Sequence, residues 1–179
     1  MPVTPFHLGP AYLVKSLKPK YFSFRVFLLT QFIIDLEPLY FMLKDEYPLH
    51  RMLHTYLGAV LVSLVCIWPG RSVCLFFSRL WNRIFKEWPI DLNISTSSAV
   101  VAAFFGGISH VILDSIMHPD IKPFWPFTDA NGLLHAITLS QLHLFCLGTG
   151  LAGYVFYLLG KKSFGMKNNI DRIETIDNS

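Results

Sequence analysis

SAVVAAFFGGISHVILDSIM, residues 98–117, followed directly by His118 and Pro119, decides how this chain is read. Twenty residues at 1.5 Å each make a helix of about 30 Å, the thickness of a bilayer's hydrocarbon core. One formal charge, Asp114, interrupts the run, and Pro119 marks its end. His110, Asp114 and His118 recur every fourth residue, so along a helix they drift by only about 40° per step and share a face. A charge at bilayer depth costs on the order of 2.5–3.5 kcal/mol on insertion scales, so such a stripe needs compensation. Imidazole and carboxylate turned to one side are the donors a zinc-like divalent ion takes. A helix–helix hydrogen-bond network without metal is the alternative.

The composition agrees with a membrane setting. The 179 residues suffice for one domain. Of them 53% are hydrophobic, sixteen are Phe, and 15% are charged, against roughly 25% in soluble domains. The mean hydropathy is +0.44. The net charge of +3 is small, and its basic residues gather at the ends of apolar stretches, which points to membrane topology and away from nucleic-acid binding. Cys66, Cys74 and Cys146 are odd in number, lack CxxC spacing and lie among apolar residues. They read as small buried hydrophobes, with neither a disulfide framework nor a thiolate site. Met1-Pro2-Val3-Thr4-Pro5 has no basic region or small-residue cleavage site, so insertion is expected to rely on internal segments. No GxSxG elbow or Walker loop occurs, and Gly106-Gly107 reads as a close-packing position.

The expected fold is all-α: a polytopic membrane bundle with four to five embedded helices and one amphipathic interfacial helix. The apolar stretches are Phe6 to Leu17 (too short to span), Phe24 to Leu43 with Pro38 inside it, Leu49 to Trp68 closed by Pro69-Gly70, Ser98 to Met117, and Leu133 to Leu159. Val73 to Trp88 mixes Phe, Leu and Trp with Arg79, Arg83 and Lys86, as a helix lying in the headgroup layer does. Residues 1–160 form one integral-membrane domain on this reading, and 161–179 a polar, disordered tail. Lys15, Lys18, Lys20 and Arg25, then Arg71, Arg79, Arg83 and Lys86, then Lys161, Lys162 and Lys167 all fall on one side of an alternating path. The positive-inside rule makes that side cytoplasmic. His7, Asp35, Glu37, His50, His54, His110, Asp114 and His118 then gather toward the opposite face.

Within that group His50 and His54 form a second pair at i, i+4, read as one helical face without the Glu of an HExxH motif. Asp35 and Glu37 diverge by about 200° on a regular helix. One of them could bind a metal while the other serves as general base, or either could pair with Arg25 or Arg51. His7, behind Thr4-Pro5, is a further possible ligand; His135 and His143 lack carboxylate companions and read as polar contacts. The segment Pro119 to Phe127 is stiff and aromatic, suited either to roof a site or to anchor at the interface.

Thr4-Pro5-Phe6-His7, Asp35-Leu36-Glu37-Pro38, His50-Arg51-x-x-His54-Thr55, Ser109-His110-x-x-x-Asp114-Ser115 and Pro123-Phe124-Trp125-Pro126 follow one another in that order. The set, over residues 4 to 127, resembles the YdjM-like family of membrane-bound, metal-dependent hydrolases, also described as LexA-binding inner-membrane-associated hydrolases. Where that family often carries a PDxDH-like segment, this chain has Glu37 for the second Asp and no His after it. The resemblance implies a hydrolase of the bacterial inner membrane and fixes no substrate. Together with the residues it leads to a divalent metal, zinc foremost, held by His50, His54, His110 and Asp114, with His118 and His7 as additions. Glu37 or Asp35 would take a proton from water, and the depth near the headgroups suggests a lipid or lipid-linked ester or phosphoester. The competing expectations are a non-enzymatic membrane scaffold or regulator-binding protein, and a metal-ion transporter.

Overall fold

The helix carrying the opening motif, α5 (Thr96–Met117), is the element around which the others are arranged. Ser95 opens it by accepting the Ser98 N–H on its side-chain oxygen. Pro119 ends it: the residue before a proline is driven out of the α region, and His118 leaves the helix extended, at φ −110° and ψ 118°. The computed structural model describes residues 5–177, with side chains for 6–160. A 3₁₀ turn (Pro5–His7) leads into α1 (Leu8–Leu17), then α2 (Phe24–Leu43), α3 (Tyr56–Val65), α4 (Arg71–Ile84), α5 and α6 (Leu139–Asp177). No strand occurs among the described residues. Four segments are long and apolar enough to cross a membrane: Phe24–Leu43, Tyr56–Ile84, Thr96–Met117 and Leu139–Gly160. This is a helical membrane bundle, and the protein is an integral membrane protein.

Small residues on α5 let its neighbours come close. Ala99, Ala102, Ala103, Gly106 and Gly107 are all buried. Gly106 faces Phe27 and Thr30 of α2, while Gly107 faces Ser63 and the Ala59 carbonyl of α3. The Ser63 hydroxyl reaches the Ala103 carbonyl at 2.9 Å and the Gln31 amide of α2 donates to the Gly106 carbonyl at 2.9 Å. Such side-chain bonds to backbone carbonyls hold membrane helices in register, where apolar contact gives no preference over lipid. The short α1 packs along α6, with Gly9 against the Cys146 carbonyl and Gly153 against the backbone of Leu13. Phe32, Leu36, Leu61, Leu64, Leu147 and Leu151 point outward, an apolar coat that lipid accepts and water does not.

Three expectations change. Leu49 to Thr55 is a loop, not the first turns of a helix, so His50 and His54 do not share a helical face. Thr55 is the N-cap, accepting the Gly58 N–H at 2.9 Å, and a cap sets the helix start behind it. The chain also does not break at Pro69-Gly70. Pro69 lacks the N–H of a regular turn, and a π turn (Cys66–Gly70) absorbs it, making α3 and α4 one continuous segment. The amphipathic segment thus follows the third crossing without a break in the helix. On the last helix, Thr138 accepts the Gln141 N–H and moves the start from Leu133 to Leu139. The α6 backbone is continuous to Asp177, while the tail from Lys161 lies outside the described side chains.

The packing at Gly107 yields a paired prediction. A Cβ there would sit 2.7 Å from Ser63 Oγ and 2.8 Å from the Ala59 oxygen, whereas one at Gly148 meets nothing within 4 Å. Gly107→Val should cost roughly 1–3 kcal/mol by overpacking and lower the thermal midpoint in detergent. Gly148→Ala should leave that midpoint unchanged or slightly raised; equal effects of the two would refute this packing.

Candidate metal centre

Five imidazoles form a chain of ring contacts at one end of the bundle. Centroids are 4.8 Å apart for His7 and His110, 5.2 Å for His110 and His54, 4.6 Å for His54 and His50, and 4.4 Å for His50 and His118. His7 comes from the turn before α1, His50 and His54 from the loop before α3, His110 from α5, and His118 from the residue after it. Lys15, Arg25 and Arg71 lie at the other end: Lys15 donates to the Pro19 and Phe22 carbonyls, Arg25 to Ser78 and Asn93, and Arg71 to Thr96. The alternating path read from the positive residues accordingly separates the two groups.

Each of three histidines has one ring nitrogen fixed by an outer acceptor. The Gln31 amide is oriented by its N–H bond to the Gly106 carbonyl, so its oxygen faces His110 Nδ1, 2.5 Å away, and takes that proton. Glu37 accepts the backbone N–H groups of Arg51 and Leu53 and stands 3.1 Å from His54 Nδ1. Asp120 accepts the N–H groups of Leu49 and His50 and lies 3.0 Å from His50 Nδ1. A proton on Nδ1 leaves the Nε2 lone pair free, and carboxylate or amide acceptors behind the ring are how metal-binding histidines are oriented. Burial pushes the His54 pKa down to about 4, which keeps its ring neutral. Burial works against charge on Asp120, but the N–H groups and imidazole of His50 hold it below the usual carboxylate range. His7 would be lowered by burial alone; the Asp114 carboxylate, with Asp35 behind it, raises it instead.

The free nitrogens converge on carboxylates. His110 Nε2 is 3.2 Å from Asp114 Oδ2 and 3.5 Å from Asp35 Oδ1, and His54 Nε2 is 3.7 Å from Asp114 Oδ2. Ligands at 2.0–2.2 Å around a tetrahedral zinc-like ion are separated by about 3.3–3.6 Å, so this spacing suits a shared ion. One ligand atom each from Asp35, His54, His110 and Asp114 lies within 4.8 Å of the others, and His50, Asp114 and His118 form a second such group. His7 Nε2 lies 3.0 Å from Asp114 Oδ1. Beyond these facing carboxylate oxygens, the buried Nε2 atoms of His7, His54 and His110 and Oδ1 of Asp114 have no other hydrogen-bond partner among the described residues. Buried polar atoms left unpaired are costly and rare; four facing one another are what a cation would satisfy.

Every histidine proposed as a ligand is therefore brought in: His7, His50, His54, His110 and His118, along with Asp35 and Asp114. Glu37 is present but committed on both oxygens to the loop and to His54. Neither arginine reaches Asp35: Arg25 binds Ser78, and Arg51 pairs with Glu46 and lies 3.4 Å over the Phe41 ring. His135 and His143 stay outside, the latter stacked on Phe6. The Pro119 to Phe127 segment both roofs and anchors. Asp120 holds the His50 loop and the Pro123 carbonyl accepts the Tyr56 N–H, while Phe124, Trp125 and Phe127 are exposed. Gln31 and Asp120 were not assigned from sequence. Gln31 precedes Asp35 by four residues and so shares its face of α2, a usable signal; for Asp120 only its place inside the stiff segment was one. A cleft of about 230 Å³ opens beside His50, bordered by Arg51, Asp120, Lys122 and Trp125.

Asp120→Ala should lower divalent-ion affinity about 10–100-fold, the usual effect of removing a positioning acceptor, with helical content unchanged by circular dichroism. Unaltered affinity by competition with a chromogenic chelator would mean His50 needs no such support. No protein-family model, curated protein or solved structure matches this chain.

Proposed function

We propose that this protein is a membrane-embedded, metal-dependent hydrolase acting on a lipid-borne ester or phosphoester, related to the YdjM-like inner-membrane family that its motifs resemble. The observation that carries this reading is the set of buried Nε2 atoms facing Asp114 and Asp35. The donors are imidazole and carboxylate with no thiolate, and the three cysteines are buried elsewhere; zinc suits that set well. His54, His110 and Asp114 hold the ion, a His₂-carboxylate set that leaves a position open, as catalytic zinc sites do. When bound, the ion supplies Lewis acidity that brings the pKa of water down to ~7.

The residues around it divide the remaining work. Asp35 makes no hydrogen bond within the described residues and stands next to the ligand set, so it is the group placed to receive a proton from water. Glu37, with its donors already in place, is a positioning residue for His54. The cleft at His50 gives access, and Arg51 and Lys122 at its rim favour an anionic headgroup. Their present partners, Glu46 and Asp129, are exposed, and exposed pairs are exchanged at little cost. Trp125 and Phe127 suit the headgroup layer from which such a substrate would come.

Purified protein in mixed micelles should cleave one member of a panel of phospholipids and lipid esters, and lose that activity with a zinc chelator. Asp35→Asn should reduce kcat by about 10²–10⁴, the range for a general base, while leaving bound metal unchanged. Metal-replete protein that cleaves no lipid ester or phosphoester, or is indifferent to the chelator, would contradict the proposal.

A further inference from the structure

We infer that the centre is built for two divalent ions sharing Asp114, an inference that rests on the metal reading above and extends it. The first observation is geometric. The two groups, His54/His110/Asp114 with Asp35 beside them and His50/Asp114/His118, have only Asp114 in common. A carboxylate has two oxygens and about four lone-pair directions, so it can serve two ions at once. Asp114 turns Oδ2 toward His54 and His110, and its buried Oδ1 faces His7 Nε2 at 3.0 Å. His50 adds to the second group a ring whose Nδ1 is already held by Asp120, the same outer-acceptor device that prepares His54 and His110. A cluster meant for one ion would have no use for that third prepared ring, nor for His118 stacked against it.

The second observation is charge. Asp35, Glu37, Asp114 and Asp120 surround the five imidazoles, and none has more than 11% of its side chain exposed. No Lys or Arg side chain pairs with any of them among the described residues. Buried carboxylates persist only when paired or bound to metal. Protonating the histidines instead would set imidazolium rings against one another at 4.4–5.2 Å between centroids. Two divalent ions bring four positive charges to four carboxylates and leave the rings neutral. Paired ions about 3.5–4 Å apart are a recurrent device for in-line displacement at phosphorus, which narrows the substrate to a phosphoester.

Metal content is the test. Protein purified in detergent and never exposed to chelator should carry two divalent ions per chain by elemental mass spectrometry. His118→Asn should carry one, and Asp114→Asn none or a small fraction of one. One ion in the wild type, or the same number in His118→Asn as in wild type, overturns the two-ion centre and leaves the single-metal hydrolase intact. No ion in the wild type overturns both. Should the His118 variant fail to fold, wild-type protein reconstituted with Mn²⁺ decides: an exchange-coupled paramagnetic resonance spectrum is expected, and an isolated six-line spectrum at full loading would refute the pair.

Discussion

The constraint on which the structure depends is that buried imidazoles cannot be left to choose their own tautomer. Gln31, Glu37 and Asp120 each stand against the Nδ1 of a different histidine, and in doing so leave three Nε2 lone pairs free. The acceptors are themselves pinned, Gln31 by the Gly106 carbonyl and the two carboxylates by backbone N–H groups of the Leu49 to Leu53 loop. The helix packing follows the same need. Gly106 and Gly107 bring α2 and α3 close enough to α5 for a side chain on one to orient a ring on another. A loop would not ordinarily be rigid enough to present two ligands, but here carboxylates from α2 and from the segment after α5 fasten it from both sides.

Much of this was legible in the residues. The α5 run shows its length, its small-residue face and its His/Asp stripe directly, because all three follow from a 3.6-residue period. The distribution of Lys and Arg was enough to send the histidines to one end. The His50/His54 pair was not legible as a loop, since spacing by four looks helical until Thr55 is recognised as a cap. Asp35 and Glu37 posed the opposite difficulty. They diverge by about 200° on a regular helix, and with Pro38 disturbing that geometry both could still serve; both do, because α2 runs between α5 on one side and the histidine loop on the other. Asp120 lay beyond reach: its role depends on a contact seventy residues away along the chain, which no local pattern encodes.

The division between inner and outer residues also bears on chemistry. Glu37 and Asp120 carry charge that serves orientation, whereas Asp35 makes no hydrogen bond among the described residues and stands next to the ligand atoms. A membrane protein that merely needed to hold helices together would gain little from turning three Nε2 atoms onto one buried carboxylate in a region where unmet polar groups are expensive. Trp125 and Phe127 are exposed, and aromatic side chains of that kind suit a membrane–water boundary.

The most direct measurement is X-ray absorption at the edge of whichever metal accompanies the purified protein. A metal edge is expected, with nitrogen and oxygen neighbours at 2.0–2.2 Å, outer-shell scattering from at least two imidazoles, and no sulfur. A sulfur shell near 2.3 Å, or protein with no metal edge at all, would contradict the convergence of His54, His110 and Asp114 on a bound cation.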